Sequence, residues 1–239
     1  MTTRRPWVIG VSGASGTPYA AAVLRGLLAG GCPVDLVVSR AARLTILDET
    51  GISFRDKSWR DDLASWLGDG LTGADVRYWP AGDLAAGPSS GSYPARGMVV
   101  VPASTAAVAG IALGLSKDLL QRAADVTLKE RRPLVVVPRE APLTRATITH
   151  LGTLADAGAT ILPASPAFYH GPTELQQLVD FVAGKVLDVI GVRHDLYRRW
   201  EGRLGAGRGG AAVEPGERGG EPGGKPVEAG ELTPERQES

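Results

Sequence analysis

WVIGVSGASG at residues 7–16, running directly into TPYAAAVLRGLLA at 17–29, decides the fold. An apolar five-residue run, Trp7 to Val11, reads as a strand buried on both faces, and the periodic stretch Tyr19 to Ala29 reads as a helix. Between them Gly10, Gly13 and Gly16 stand in a G-x-x-G-x-x-G spacing, with Ser12 and Ser15 as the hydroxylated positions. That spacing is neither the dinucleotide G-x-G-x-x-G nor a phosphate-binding Gly-Lys-Ser/Thr loop. Small residues at the start of a helix make either a tight strand-to-helix turn or an anion cradle, and the first βα unit favours a phosphate.

Outward from this unit the pattern repeats. Short apolar runs recur at Val34 to Val38, Val76 to Trp79, Met98 to Val101, Leu134 to Val137 and Thr160 to Leu162. The segments between them, such as Lys117 to Glu130 and Arg145 to Ala157, are long enough for crossover helices. The expectation is an α/β chain: a doubly wound, mainly parallel six-stranded sheet with helices on both faces.

The strand ends carry the candidate chemistry. Ser39 closes the second strand where a nicotinamide fold would carry an acid for the ribose, and Asp35 sits too early to serve. A hydroxyl there suits a phosphate or a ribityl chain, although a lone serine is also ordinary surface. Pro102-Ala-Ser104-Thr105-Ala106-Ala107 ends the fourth strand and precedes an apolar helix. Two such turns at one sheet edge define a crevice, unless each is simply a packed corner. Asp118, Arg122, Asp125 and Lys129 share one helix face, as a solvated stripe or as a site with the nearby Arg131, Arg132 and Arg139. Arg139-Glu140 follows the fifth strand, where an arginine can clamp a phosphate and a glutamate can move a proton. PAFYHGP at 166–172 suggests a rigid loop holding the Tyr169 phenol outward, with Lys185 on the next helix; either is equally compatible with packing or surface. The Gly/Ser/Pro-dense stretch Gly82 to Arg96 is longer than an ordinary connection and is a candidate functional loop.

Composition bounds the alternatives. The 239 residues carry 26 Lys+Arg against 26 Asp+Glu, so no overall field attracts nucleic acid or an anionic membrane. One cysteine, Cys32, and three histidines exclude a disulfide scaffold and a zinc-cluster architecture, and fit a reducing cytoplasm. No H-E-x-x-H motif or nucleophile elbow is present. The N-terminal apolar run is too short for a signal segment, and no stretch of about 18 apolar residues follows. From Gly205 to Ser239 fourteen of 35 residues are Gly or Pro, so residues 1–204 are expected to form the domain and 205–239 a disordered tail.

Taken together, Gly13-Ala-Ser-Gly16, Ser39, Ser90-Gly-Ser92, Pro102-Ala-Ser-Thr105, Leu120-Gln-Arg-Ala-Ala-Asp-Val126, Leu128-Lys-Glu-Arg131, Pro138-Arg-Glu-Ala-Pro142 and Ala167-Phe-Tyr169 resemble the UbiX-type flavin prenyltransferases. These belong to a Rossmann-like flavoprotein superfamily that also contains flavin-dependent cysteine decarboxylases. The resemblance spans about Val8 to Trp200. It implies transfer of a dimethylallyl group from dimethylallyl monophosphate to N5 and C6 of reduced FMN, without a metal. The product, prenylated FMN, would serve UbiD-type decarboxylases. It further implies that Gly13, Ala14, Ser15, Ser39, Ser104, Thr105, Ala106, Ala107 and Arg139 hold FMN. Lys129, Arg139, Tyr169 and Lys185 would surround the prenyl phosphate. Glu140 would transfer the proton, with Ser15, Glu49, Arg122 and Lys129 completing the catalytic set. A homo-oligomer, usually a dodecamer with active sites at subunit interfaces, is also implied.

Two positions depart from the family pattern: Lys185 stands where arginine is common, and Leu84 where some members carry tryptophan. Lysine lacks the planar bidentate fork, which bears on the choice between a monophosphate and a diphosphate donor. The cysteine decarboxylases use a histidine in the early half of the chain, and none precedes His150 here. A non-catalytic FMN carrier would have no need of Lys129 and Glu140 together.

Overall fold

Six parallel strands in the order β3-β2-β1-β4-β5-β6 form one sheet in the computed structural model, which describes residues 4–68, 74–200 and 202. They are β1 (Trp7–Val11), β2 (Val34–Val38), β3 (Val76–Pro80), β4 (Gly97–Ala103), β5 (Leu134–Pro138) and β6 (Thr160–Ile161). The helices are α1 (Thr17–Ala29), α2 (Arg40–Thr50), α3 (Trp59–Leu67), α4 (Thr105–Ala112), α5 (Leu119–Lys129), α6 (Arg145–Asp156) and α7 (Leu175–Val189). The sheet is parallel throughout rather than mainly so, and every residue of β1, β2, β4 and β5 is buried. Such burial is why these strands read as continuous apolar runs instead of alternating ones.

The pleat divides the core into two clusters. Ile9, Val11 and Leu36 face Leu24, Leu27, Val182 and Leu187 of α1 and α7. Val8, Val37, Met98 and Val100 face Leu120, Ala124 and Leu154 of α5 and α6. Helices therefore cover both faces, as the βα alternation requires. Connections run outward in opposite directions on either side of β1 and β4, which makes the edge between these strands the switch point where ligands of such sheets bind.

Asp35, excluded above as a ribose ligand, is fully buried in β2. It receives Arg4 Nη1 at 2.6 Å and the Tyr93 hydroxyl at 2.7 Å, an ion pair tying the chain start to the 82–96 loop. Residues through Trp200 belong to one compact unit. The boundary expected at 204/205 and the 205–239 segment lie outside the described residues. Among the described residues, no helix is long and apolar enough to cross a membrane.

Candidate active site

Three strand-to-helix turns line the switch-point cleft, and each is built by a serine. Ser39 caps α2 by accepting the Ala42 N–H at 3.1 Å, and Ser104 caps α4 by accepting the Ala107 N–H at 3.2 Å. Ser12, almost wholly buried, joins the turns: its Oγ accepts the Ser104 N–H at 2.7 Å and donates to the Pro102 carbonyl at 2.8 Å. Gly13 lies so close to α2 that a Cβ would stand 2.4 Å from the Ala41 Cβ, so only glycine lets these two turns meet.

Between the turns is a cleft of about 180 Å³ lined by Ser12, Gly13, Ser39, Arg40, Ala107 and Gln121, among others. Its donors are hydroxyls and first-turn N–H groups of α2 and α4, with Arg40 alongside. Neutral donors at two helix N-termini fit a phosphorylated, hydroxyl-rich ligand, and the small side chains leave room for its approach. The volume is below the roughly 300–1,000 Å³ of a typical small-molecule pocket.

The anion cradle expected at the start of α1 exists, and a side chain of the same chain fills it. Glu49, at the far end of α2, accepts the Gly16 and Thr17 N–H groups at 2.8 Å each and the Thr17 hydroxyl at 2.6 Å. Burial pushes this carboxyl up, but hydrogen bonds from the Thr17 and Ser15 side chains and from the two backbone N–H groups hold it below its ordinary range. Glu49 is thus an ionised cap on α1. Ser15 is exposed, and its carbonyl accepts Arg139 Nε at 2.7 Å, joining the turns after β1 and β5 across β4. Glu140 stands exposed beside Arg139 at the same edge.

The other expected residues lie elsewhere in the chain. Asp118 caps α5 at the cleft, and Lys129 is eleven residues further on, about 16 Å along the helix axis. Lys129 pairs there with Glu130. Arg122 points at the long loop, donating to the Ser89 carbonyl at 3.1 Å and pairing with Asp125 at 2.7 Å. The stripe on α5 is therefore a solvated ion-pair face that also carries the loop. Tyr169 packs edge-on against Phe181 of α7 at 5.9 Å, one turn before Lys185. Ser12, Arg40 and Gln121 line the cleft, and the motifs gave none of them a role. A buried hydroxyl between a strand and its glycine was the available sign for Ser12; Gln121 had none, being placed by the packing of α5 on α4.

Residues 1–187 match the flavoprotein family. The chain is 69% identical over 212 residues to the flavin prenyltransferase UbiX of Streptomyces coelicolor, covering 85% of this chain and 98% of that protein. It is 43% identical to flavin prenyltransferase UbiX of Synechocystis sp. over 84% of this chain and 98% of the relative. A crystal structure of AnUbiX in complex with FMN and dimethylallyl pyrophosphate superposes with a TM-score of 0.74 at 36% identity, covering 83% and 98% of the two chains. A dodecameric FMN-dependent UbiX-like decarboxylase from Escherichia coli gives a TM-score of 0.73 at 37% identity over 82% and 100%. A doubly wound sheet with a hydroxyl-lined switch-point cleft is an α/β protein suited to a phosphorylated ligand. The chain belongs to the flavoprotein family and, within it, to the UbiX flavin prenyltransferases.

Proposed function

We propose that the cleft between the turns after β1 and β4 holds reduced FMN, and that the enzyme transfers to it the dimethylallyl group of dimethylallyl monophosphate. The observation that carries this reading is the convergence of the Ser12, Ser39 and Ser104 turns beside Arg139 and Glu140 at one sheet edge. The Ser39 and Ser104 turns, with Gly13 to Ser15, Thr105 to Ala107 and Arg139, hold the flavin phosphate and ribityl chain. Reduced FMN supplies nucleophilic N5 and C6 atoms and a π face that stabilises allylic cation character.

The residues then divide the work. Arg139, Tyr169, Lys185 and Lys129 gather the donor phosphate, and the charge of Arg139 and Lys129 stabilises the electron pair that departs with it when the allylic C–O bond breaks. The allylic carbon bonds N5, whose proton leaves with the departing phosphate; the Glu140 carboxyl then gives a proton to the inner carbon of the remaining double bond, and C6 bonds the tertiary carbon so made electrophilic. The proton displaced from C6 passes to Glu140, which restores the aromatic ring. Lysine and arginine supply the positive charge that a metal would otherwise provide. Ser15 and Glu49 hold the α1 turn in place, and Arg122 holds the 82–96 loop.

Lys129 lies too far along α5 to serve its own cleft, which supports a homo-oligomer in which a second copy brings it in; the dodecameric relative supports the same reading. The prenylated FMN product goes to a UbiD-type decarboxylase, in the cytoplasm. The test follows phosphate release under anaerobic conditions. Release that requires both reduced FMN and dimethylallyl monophosphate is expected. Pyrophosphate release from the diphosphate alone would change the donor, and flavin binding with neither release would leave a carrier.

A further inference from the structure

Phe181, Lys185 and Asp188 follow one another on α7 at steps of four and three residues and share one face of the helix. Asp188 is a node on that face. Its Oδ1 receives His194 Nε2 at 3.0 Å and Arg199 Nη2 at 2.8 Å, and its Oδ2 receives the Tyr197 hydroxyl. His194 Nδ1 accepts the Leu196 N–H at 3.2 Å, so the ring donates to Asp188 through Nε2. Lys185 Nζ stands 3.8 Å from Oδ2, close enough to be held by charge yet too far for a hydrogen bond, so its protons remain available.

These contacts fold residues 193–200 back onto α7. The approach is close: a Cβ on Gly184 would come within 2.5 Å of the Tyr197 ring and 2.7 Å of the His194 ring. Tyr197 in turn packs on Phe181 at 4.9 Å between ring centroids, and Phe181 supports Tyr169. One carboxylate therefore reaches Lys185 directly and Tyr169 through two rings.

We infer that Asp188 is a positioning residue for the prenyl-phosphate site, holding the Lys185 ammonium and the Tyr169 phenol in the arrangement that receives the donor. The inference rests on the reading of Tyr169 and Lys185 as phosphate ligands given above. Asp188 touches no reacting atom, so its effect falls on donor affinity and not on the chemical step.

The test compares Asp188→Asn and Tyr197→Phe with the wild-type enzyme. Steady-state rates are measured against dimethylallyl monophosphate at saturating reduced FMN, alongside FMN binding and a thermal melt. Asp188→Asn is expected to raise KM for the donor about tenfold and Tyr197→Phe about threefold, with kcat within about twofold and FMN binding unchanged. Tyr197→Phe keeps the ring and loses only the bond to Asp188, so it decides the matter if Asp188→Asn does not fold. Folded variants with an unchanged KM, even with a lowered melting temperature, overturn the inference. Tyr169→Phe and Lys185→Ala run in parallel separate the two levels. If these leave KM unchanged, the phosphate assignment itself fails; if they raise it while Asp188→Asn and Tyr197→Phe do not, only the role of Asp188 fails.

Discussion

The Ser12 hydroxyl bonds two backbone groups at the end of β4 and the start of α4, the Pro102 carbonyl and the Ser104 N–H. Ser12→Ala leaves both unpaired in a buried place and is expected to cost about 1–3 kcal/mol of stability. Because Ser104 also starts α4, FMN affinity should fall with it; a flavin titration that matches wild type would show that the turn holds without Ser12. Glu49 gives a prediction with a sign in pH. Its carboxyl is lower in the folded chain than in the unfolded one, so its contribution is complete above the unfolded pKa and is lost as pH falls through the folded value. Glu49→Gln should therefore lower stability by about 0.5–1 kcal/mol at neutral pH, allowing for solvent screening, and the gap in melting temperature should close as pH falls through the carboxylate range. A gap that stays constant over this range contradicts an ionised cap. Gly13, Ser39 and Ser104 were legible because strand-to-helix turns announce themselves locally. The Glu49 contact was not, since it joins the start of α1 to the end of α2 and no spacing rule connects them.

Among the elements, the 82–96 loop is more firmly held than its Gly/Ser/Pro content implies. Arg132 donates to the Gly91 carbonyl at 2.7 Å and the Tyr93 carbonyl at 2.8 Å, and Arg122 to the Ser89 carbonyl. Arg132→Ala should raise hydrogen exchange in residues 89–93 by about 1–3 kcal/mol of opening free energy while leaving β4 protected. Equal exchange in both proteins would mean that the arginine is a passive neighbour. The strands were read within a residue or two, β1, β2, β4 and β5 because their burial is total and the partly buried β3 and β6 from their short apolar runs. β4 runs on to Ala103, past the expected end at Val101; a proline at position 102 looks like a stop, yet here it lies within the strand, at a register shift against β5. α1 begins at Thr17 and not Tyr19, with Pro18 in its first turn, where proline's fixed φ suits a helix start. α2 left almost no periodic trace. Only Ala42 and Ile46 are buried along it, while Leu44 and Leu47 face outward.

For the molecule as a whole, the crevice was legible from two small-residue turns, yet nothing in the sequence order showed that α5 runs away from it. That separation is a matter of helix length: Asp118 meets the cleft and Lys129 leaves it. Catalysis under this account therefore depends on assembly, and dilution to dissociated chains should abolish turnover before it abolishes the fold. Removing residues 205–239 should leave FMN binding, assembly and turnover unchanged, because every residue assigned a role precedes them. A truncated chain that no longer binds flavin would contradict this. The central claim is prenyl transfer itself, and it is tested most directly by anaerobic incubation with reduced FMN and dimethylallyl monophosphate, followed by mass spectrometry of the released flavin. The account predicts a gain of one C5 prenyl unit in the wild-type enzyme and its loss in Glu140→Gln and Lys129→Ala. Unmodified FMN released from wild-type enzyme that binds both ligands would contradict it.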